Sequence, residues 1–162
     1  MTDRHKGIAL AIVHVLLILS LGGKLLIDRQ TRPRVWAKVV PYDPETPIRG
    51  RYVSLNLQFR VAGQLRSGWE HVRFSNDNGQ LLATVTSETE DTGITLAYRT
   101  KGQAPRLSEP LAYFIPEHVA DPSRRAPGEE LWVEVTIPKK GPPRPIQLGV
   151  KKNGVITPLK LD

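Results

Sequence analysis

The sequence predicts a mainly β protein: an antiparallel sandwich or barrel-like domain preceded by a single N-terminal transmembrane helix. Three observations carry this reading. Gly7 to Gly23 passes seventeen residues without a formal charge. From Val35 onward apolar residues recur with period two rather than 3.6. All 14 prolines lie at or beyond Pro33, so the first thirty residues differ in kind from the rest.

The chain opens with a short tail, residues 1–6, carrying Arg4 and Lys6. An apolar segment follows over residues 7–27, if Lys24 extends its ammonium toward the headgroups. That is long enough to cross a hydrocarbon layer, which takes about 20 apolar residues. Signal cleavage normally follows a small-residue pattern. "LSLGG" offers Ser20 and Gly22 without an alanine pair, and Leu25-Leu26-Ile27 prolongs the segment, so a retained anchor is expected. His14 lies inside the apolar run with no second ionisable group nearby, which suits packing against a partner helix. Residues 28–34 form a juxtamembrane linker and 35–162 the soluble domain. Lys24, Arg29, Arg32, Arg34 and Lys38 flank the anchor, and by the positive-inside rule would place the domain in the cytoplasm. A short basic tail before an apolar run is also the layout of an export signal, so charge leaves the orientation open.

The strands come next. "VWAKVVPYD" reads as a first strand stopped by Pro41, and "PYDPETPIRG" as a loop. Val53, Leu55, Leu57, Phe59 and Val61 then alternate with Ser54, Asn56, Gln58 and Arg60, a half-buried strand with one wet face. "WEHVRF" and "LLATVTSE" flank Asn76-Asp77-Asn78-Gly79, a strong hairpin signal. "GITLAYRT" puts Ile94, Leu96 and Tyr98 on one face, and "LWVEVTI" does the same with Leu131, Val133, Val135 and Ile137. The last hairpin centres on Asn153-Gly154, the pair preferred in a type I′ turn. "IPEHVADPSRRAPGEE" is the one place for a short helix, beginning after Pro116. The Pro-rich basic stretches 101–110 and 138–145 read as exposed loops.

Composition narrows function further. With 40% apolar and 24% charged residues the chain is globular. It has no cysteine, which excludes a disulfide framework, a thiolate zinc site and a cysteine nucleophile. The net charge of +7 suits an anionic membrane surface as well as nucleic acid. Its basic residues are scattered, with no clusters interleaved by aromatics, so nucleic acid is not an expected partner. There is no G-x-S-x-G elbow, P-loop or H-E-x-x-H. Glu117, His118 and Asp121 are the only close carboxylate–imidazole group, and a turn with local hydrogen bonds explains them better than a metal site. Membrane-bound signal peptidases share the anchor-plus-β layout, but residues 28–50 contain no serine to act as nucleophile. These residues imply no catalytic group, cofactor, metal or small-molecule ligand, and the inventory leans away from an enzyme.

At Gly50 the chain reaches a resemblance. "RGRYVSLNL" resembles the signature of a bacterial membrane-anchored family named for the motif Gly-Asp-Tyr-x-x-Leu-x-Tyr (GDYXXLXY). Gly50, Tyr52 and Leu55 match, while Arg51 replaces the aspartate and Leu57 the final tyrosine. The lead-in "PYDPETPIRG" is similar to the family's Asp-Pro loop ending in Arg-Gly. "AYFIPE", Ala112 to Glu117, is similar to its Tyr-Phe-Val-Pro-Glu segment. The resemblance implies an uncharacterised inner-membrane protein with an exported, periplasmic domain, accompanied by a multi-spanning inner-membrane protein. It marks Arg49, Gly50, Arg51, Tyr52, Leu55, Tyr113, Phe114, Pro116 and Glu117 as motif and candidate binding residues. The expectation is a non-catalytic envelope protein whose β domain docks on a membrane or periplasmic partner. The alternative is an envelope hydrolase or ligand-binding protein, its site assembled from Arg49, Arg51, Tyr52, Tyr113, Glu117 and His118. The motif also has a plain structural reading, with Gly50 turning the chain, Tyr52 capping a core edge, and Leu55 and Leu57 facing inward.

Overall fold

The computed structural model describes residues 3–42, 52–65, 68–87, 90, 92–98 and 104–161. It divides into two compact units, Met1–Arg32 and Pro33–Asp162. The first is a single helix, α1 (Asp3–Thr31), rich in Leu, Ile, Val and Ala and free of proline. Its stretch His5–Asp28, 24 residues, is long and apolar enough to cross a membrane. At 1.5 Å per residue this spans about 36 Å, against roughly 30 Å of hydrocarbon. Pro33 disfavours helical geometry at the residue before it, and the helix stops there. The Thr31 hydroxyl donates to the Ile27 carbonyl at 2.8 Å, and Arg32 pairs with Asp28 at 2.7 Å.

The second unit is a β-sandwich of eleven strands among the described residues. The first six are β1 (Arg34–Tyr42), β2 (Tyr52–Leu57), β3 (Arg60–Ala62), β4 (Gly68–Asp77), β5 (Gln80–Val85) and β6 (Thr95–Tyr98). The others are β7 (Arg106–Leu107), β8 (Leu111–Phe114), β9 (Glu130–Thr136), β10 (Arg144–Lys152) and β11 (Val155–Pro158). One sheet has the order β11-β10-β9-β1-β2-β8, the other β3-β5-β4-β6-β7. All pairings are antiparallel except β3 with β5. Period-two alternation supplies the core between them. Val35, Ala37 and Val39, Val53, Leu55 and Leu57, and Leu131, Val133 and Val135 point inward from the first sheet. Val72, Phe74, Leu81, Ala83 and Leu96 meet them from the second.

Both expected hairpin turns form. Asn78 and Gly79 have φ of 50° and 80°, Asn153 and Gly154 of 50° and 85°. Positive φ at both central residues is the type I′ geometry whose twist matches antiparallel strands. The Asn76 side chain fixes the first turn by accepting from the Gly79 N–H at 2.8 Å.

Several expectations are corrected. β1 does not stop at Pro41 but runs to Tyr42. The Lys38 carbonyl accepts from the Gln58 N–H at 2.8 Å, so by alternation the Pro41 nitrogen faces β9, whose ladder with β1 ends at Lys38. A missing N–H there costs no ladder bond. The alternating stretch 53–61 is not one strand. It breaks after Leu57 and continues as β3 in the opposite sheet, where Phe59 packs edge-on against Phe74 with centroids 5.1 Å apart. The segment after Pro116 is a series of turns rather than a helix. Pro122 and Pro127 interrupt it, and Asp121 Oδ1 accepts from the Ser123 N–H at 2.8 Å, a local bond that competes with helix. The stretches at 101–110 and 138–145 are not wholly exposed loops either. Arg106–Leu107 pairs with β6, Leu107 and Pro143 are buried, and Gly141 N–H donates to the Thr92 carbonyl at 2.9 Å. Residues 101–103 lie outside the described residues.

Candidate functional site

The two motif segments are neighbouring strands. β2 and β8 run antiparallel with Tyr52 opposite Phe114, Val53 opposite Tyr113 and Leu55 opposite Leu111. Opposed residues share a face and successive ones alternate, so Tyr52 and Phe114 stand together on the outer face. Their ring centroids are 6.2 Å apart at 56°. Phe114 is 72% exposed, far more than a phenylalanine in a sandwich wall requires. Leu55, on the inner face of the same strand, is fully buried, as expected of the motif leucine, and Leu57 is buried too.

Tyr113 faces the other way. It packs against the core, and its hydroxyl reaches the Ile146 carbonyl at 3.5 Å. Ile146 is the extra residue of a β-bulge between Pro145 and Gln147. Pro116, Glu117 and His118 follow as exposed residues of a turn closed by Val119 N–H on the Pro116 carbonyl at 3.2 Å. The strands of the hydrolase alternative therefore meet, but Tyr52 and Tyr113 lie on opposite faces of the sheet. Arg49, Gly50 and Arg51 lie outside the described residues. Among the described residues no group of three or more His, Asp or Glu converges as a metal-binding set.

A second feature escaped sequence reasoning. Trp36 and Lys38 alternate with the buried residues of β1, and Glu130, Trp132 and Glu134 with those of β9, so all five stand on the outer face. Lys38 Nζ lies 2.5 Å from Glu130 Oε1, and Trp132 Nε1–H donates to Glu130 Oε2 at 3.1 Å. The Lys38 hydrogen bond, then the Trp132 one, hold the Glu130 carboxyl below its ordinary pKa. Lys151 Nζ sits 4.4 Å from the Trp132 ring centroid, a cation–π contact. The Trp36 ring reaches across β9 onto Gly149, where a Cβ would meet its Cζ3 at 2.7 Å.

Trp36, Lys38 and Trp132 border a pocket of about 200 Å³. β2 leaves β1 at Gln58 to cross to the other sheet, which opens a notch beside Trp36 and Lys38. The β4–β5 turn covers that notch, held by Asn76 Nδ2 donating to the Arg34 carbonyl at 3.1 Å. Trp36, Lys38, Gln58, Arg60, Gln80 and Trp132 line it. The only signal in the sequence was a tryptophan at an outward position of two strands, and their adjacency in the sheet was not readable.

Comparison with protein-family models, curated proteins and solved structures returns no match. The fold and site define a β-sandwich with an N-terminal apolar helix, a candidate membrane span or signal helix.

Proposed function

We propose that this is a non-catalytic protein of the bacterial inner membrane, retained by residues 7–27, whose periplasmic β-sandwich docks on a membrane partner through the Tyr52–Phe114 face. The observation that carries the reading is Phe114, a large aromatic 72% exposed beside Tyr52 on the strand pair that bears both motifs. Exposed aromatics of this kind are the usual anchors of protein interfaces. The helix adds support, because its leucines and isoleucines from Ile8 to Ile27 are exposed and find a low-energy environment in lipid. Resemblance to the Gly-Asp-Tyr-x-x-Leu-x-Tyr family points the same way, toward a multi-spanning inner-membrane partner. The hydrolase reading gains no comparable observation, since its two tyrosines, Tyr52 and Tyr113, face opposite sides of the sheet.

The test is site-specific photocrosslinking in membranes, with a benzophenone amino acid at position 114 and, as control, at Trp69, which is 70% exposed on the other sheet. The expected result is one integral-membrane adduct from position 114 and none from 69, on a full-length chain that resists alkaline extraction. Equal labelling from both positions, or a chain shortened by removal of its apolar segment, would overturn the proposal. A reporter enzyme fused after Asp162 tests the periplasmic orientation.

A further inference from the structure

We infer that the pocket between Trp36 and Trp132 is a binding site for a neutral sugar, a function separate from the docking face proposed above. Its size sets the first limit. At about 200 Å³ it is smaller than the clefts of about 300–1,000 Å³ that engulf drug-sized molecules. A single pyranose ring, or the end residue of a longer glycan, is the scale it suits.

The lining sets the chemistry. Trp36 and Trp132 present amphipathic aromatic surface, which suits the C–H faces of a pyranose and costs little ordering entropy. Gln58 and Gln80 are exposed, and neither side-chain amide has a hydrogen-bond partner among the described residues. Each amide offers donors and an acceptor together, as a sugar hydroxyl does. The cations are already committed: Lys38 to Glu130, Arg60 to Asp77, and Lys151 to the Trp132 ring. A phosphate or carboxylate would have to compete with those carboxylates. A quaternary ammonium would meet the two lining cations, Lys38 and Arg60. A neutral, polyhydroxylated ligand requires neither.

The site is also built rather than incidental. Lys38 and Trp132 both hydrogen-bond Glu130, which holds the Trp132 indole by its N–H. Gly149 leaves room for the Trp36 ring, whose Cζ3 a Cβ at that position would meet at 2.7 Å. Asn76 ties the turn bearing Gln80 to β1 through Arg34. Two sheets thus contribute to one preorganised pocket.

The experiment uses the full chain in a zwitterionic, sugar-free detergent, with Trp69→Phe so that emission reports Trp36 and Trp132. The probes are the N-acetylglucosamine trimer and cellotriose, with inorganic phosphate and tetramethylammonium as charged comparators. The expected result is a saturable emission change with one of the sugars at a Kd on the order of 1 mM. Trp36→Ala should raise that Kd at least tenfold and Gln80→Ala at least threefold. Should Trp36→Ala not fold, Gln58→Ala and Gln80→Ala, both changes to exposed side chains, test the same pocket. No saturable change with either sugar, unchanged Kd in the variants, or tighter binding of either charged comparator would overturn the inference. None of these outcomes bears on crosslinking from position 114.

Discussion

Gly149→Ala tests how Trp36 is seated. An added Cβ would lie 2.7 Å from Trp36 Cζ3, 2.9 Å from Cη2 and 3.1 Å from Ile156 Cγ2. Carbon atoms settle at about 3.5–4.0 Å, so the indole must move by roughly 1 Å. Overpacking of this kind costs about 1–3 kcal/mol. For a domain of this size each kcal/mol lowers Tm by roughly 3–5 °C, so the fall should be about 3–15 °C. Gly149 has no positive φ, so alanine is compatible with its backbone. Without the clash, alanine should stabilise by about 0.4–1 kcal/mol through the unfolded state. In a Trp36→Ala background only the 3.1 Å approach to Ile156 Cγ2 remains, so the penalty should shrink toward zero or reverse. The assay is a double-mutant cycle on the full chain in detergent, followed by near-UV dichroism and tryptophan emission. An equal penalty with and without the indole would refute the assignment of Trp36 as the obstructing group.

Two further predictions concern the core and the ion pair. Leu55→Ala removes a core side chain with no exposure and should cost about 2–5 kcal/mol in urea unfolding. A loss below about 1 kcal/mol would show that the motif leucine is not a packing residue. The folded pKa of Glu130 lies below its unfolded value because Lys38 and Trp132 favour the carboxylate. Its contribution is therefore present above the unfolded pKa of about 4.5 and lost as pH falls through the lower folded value. The Tm difference between the native chain and Glu130→Gln should be largest near neutrality and vanish in acid; a difference constant with pH would sink the assignment.

The motif residues divided in a way that strand physics explains. Leu55 and Leu57 were legible as inward residues because alternation allows no other face once Val53 is buried. The same rule separates Tyr113 from Phe114, but the register between β2 and β8 had to be known before Tyr52 could be matched to one and not the other. The break after Leu57 was not legible. Phe59 and Val61 keep the inward period, and a change of sheet leaves that period intact. The helix expected after Pro116 failed for a local reason, since Asp121 serves a turn that competes with it.

Local chemistry was enough for the apolar helix, the alternating strands and the two Asn-Gly turns, because each depends on residues within a few positions of one another. Long-range pairing was needed for the rest. Trp36 and Trp132 are far apart in the chain and share a face only because β1 pairs with β9 in a register opposing Lys38 to Trp132. Gln80 reaches them from the second sheet only because β2 leaves β1 and the β4–β5 turn fills the gap. Register and crossover are set by how two whole sheets bury their inner faces, and no single segment carries that information.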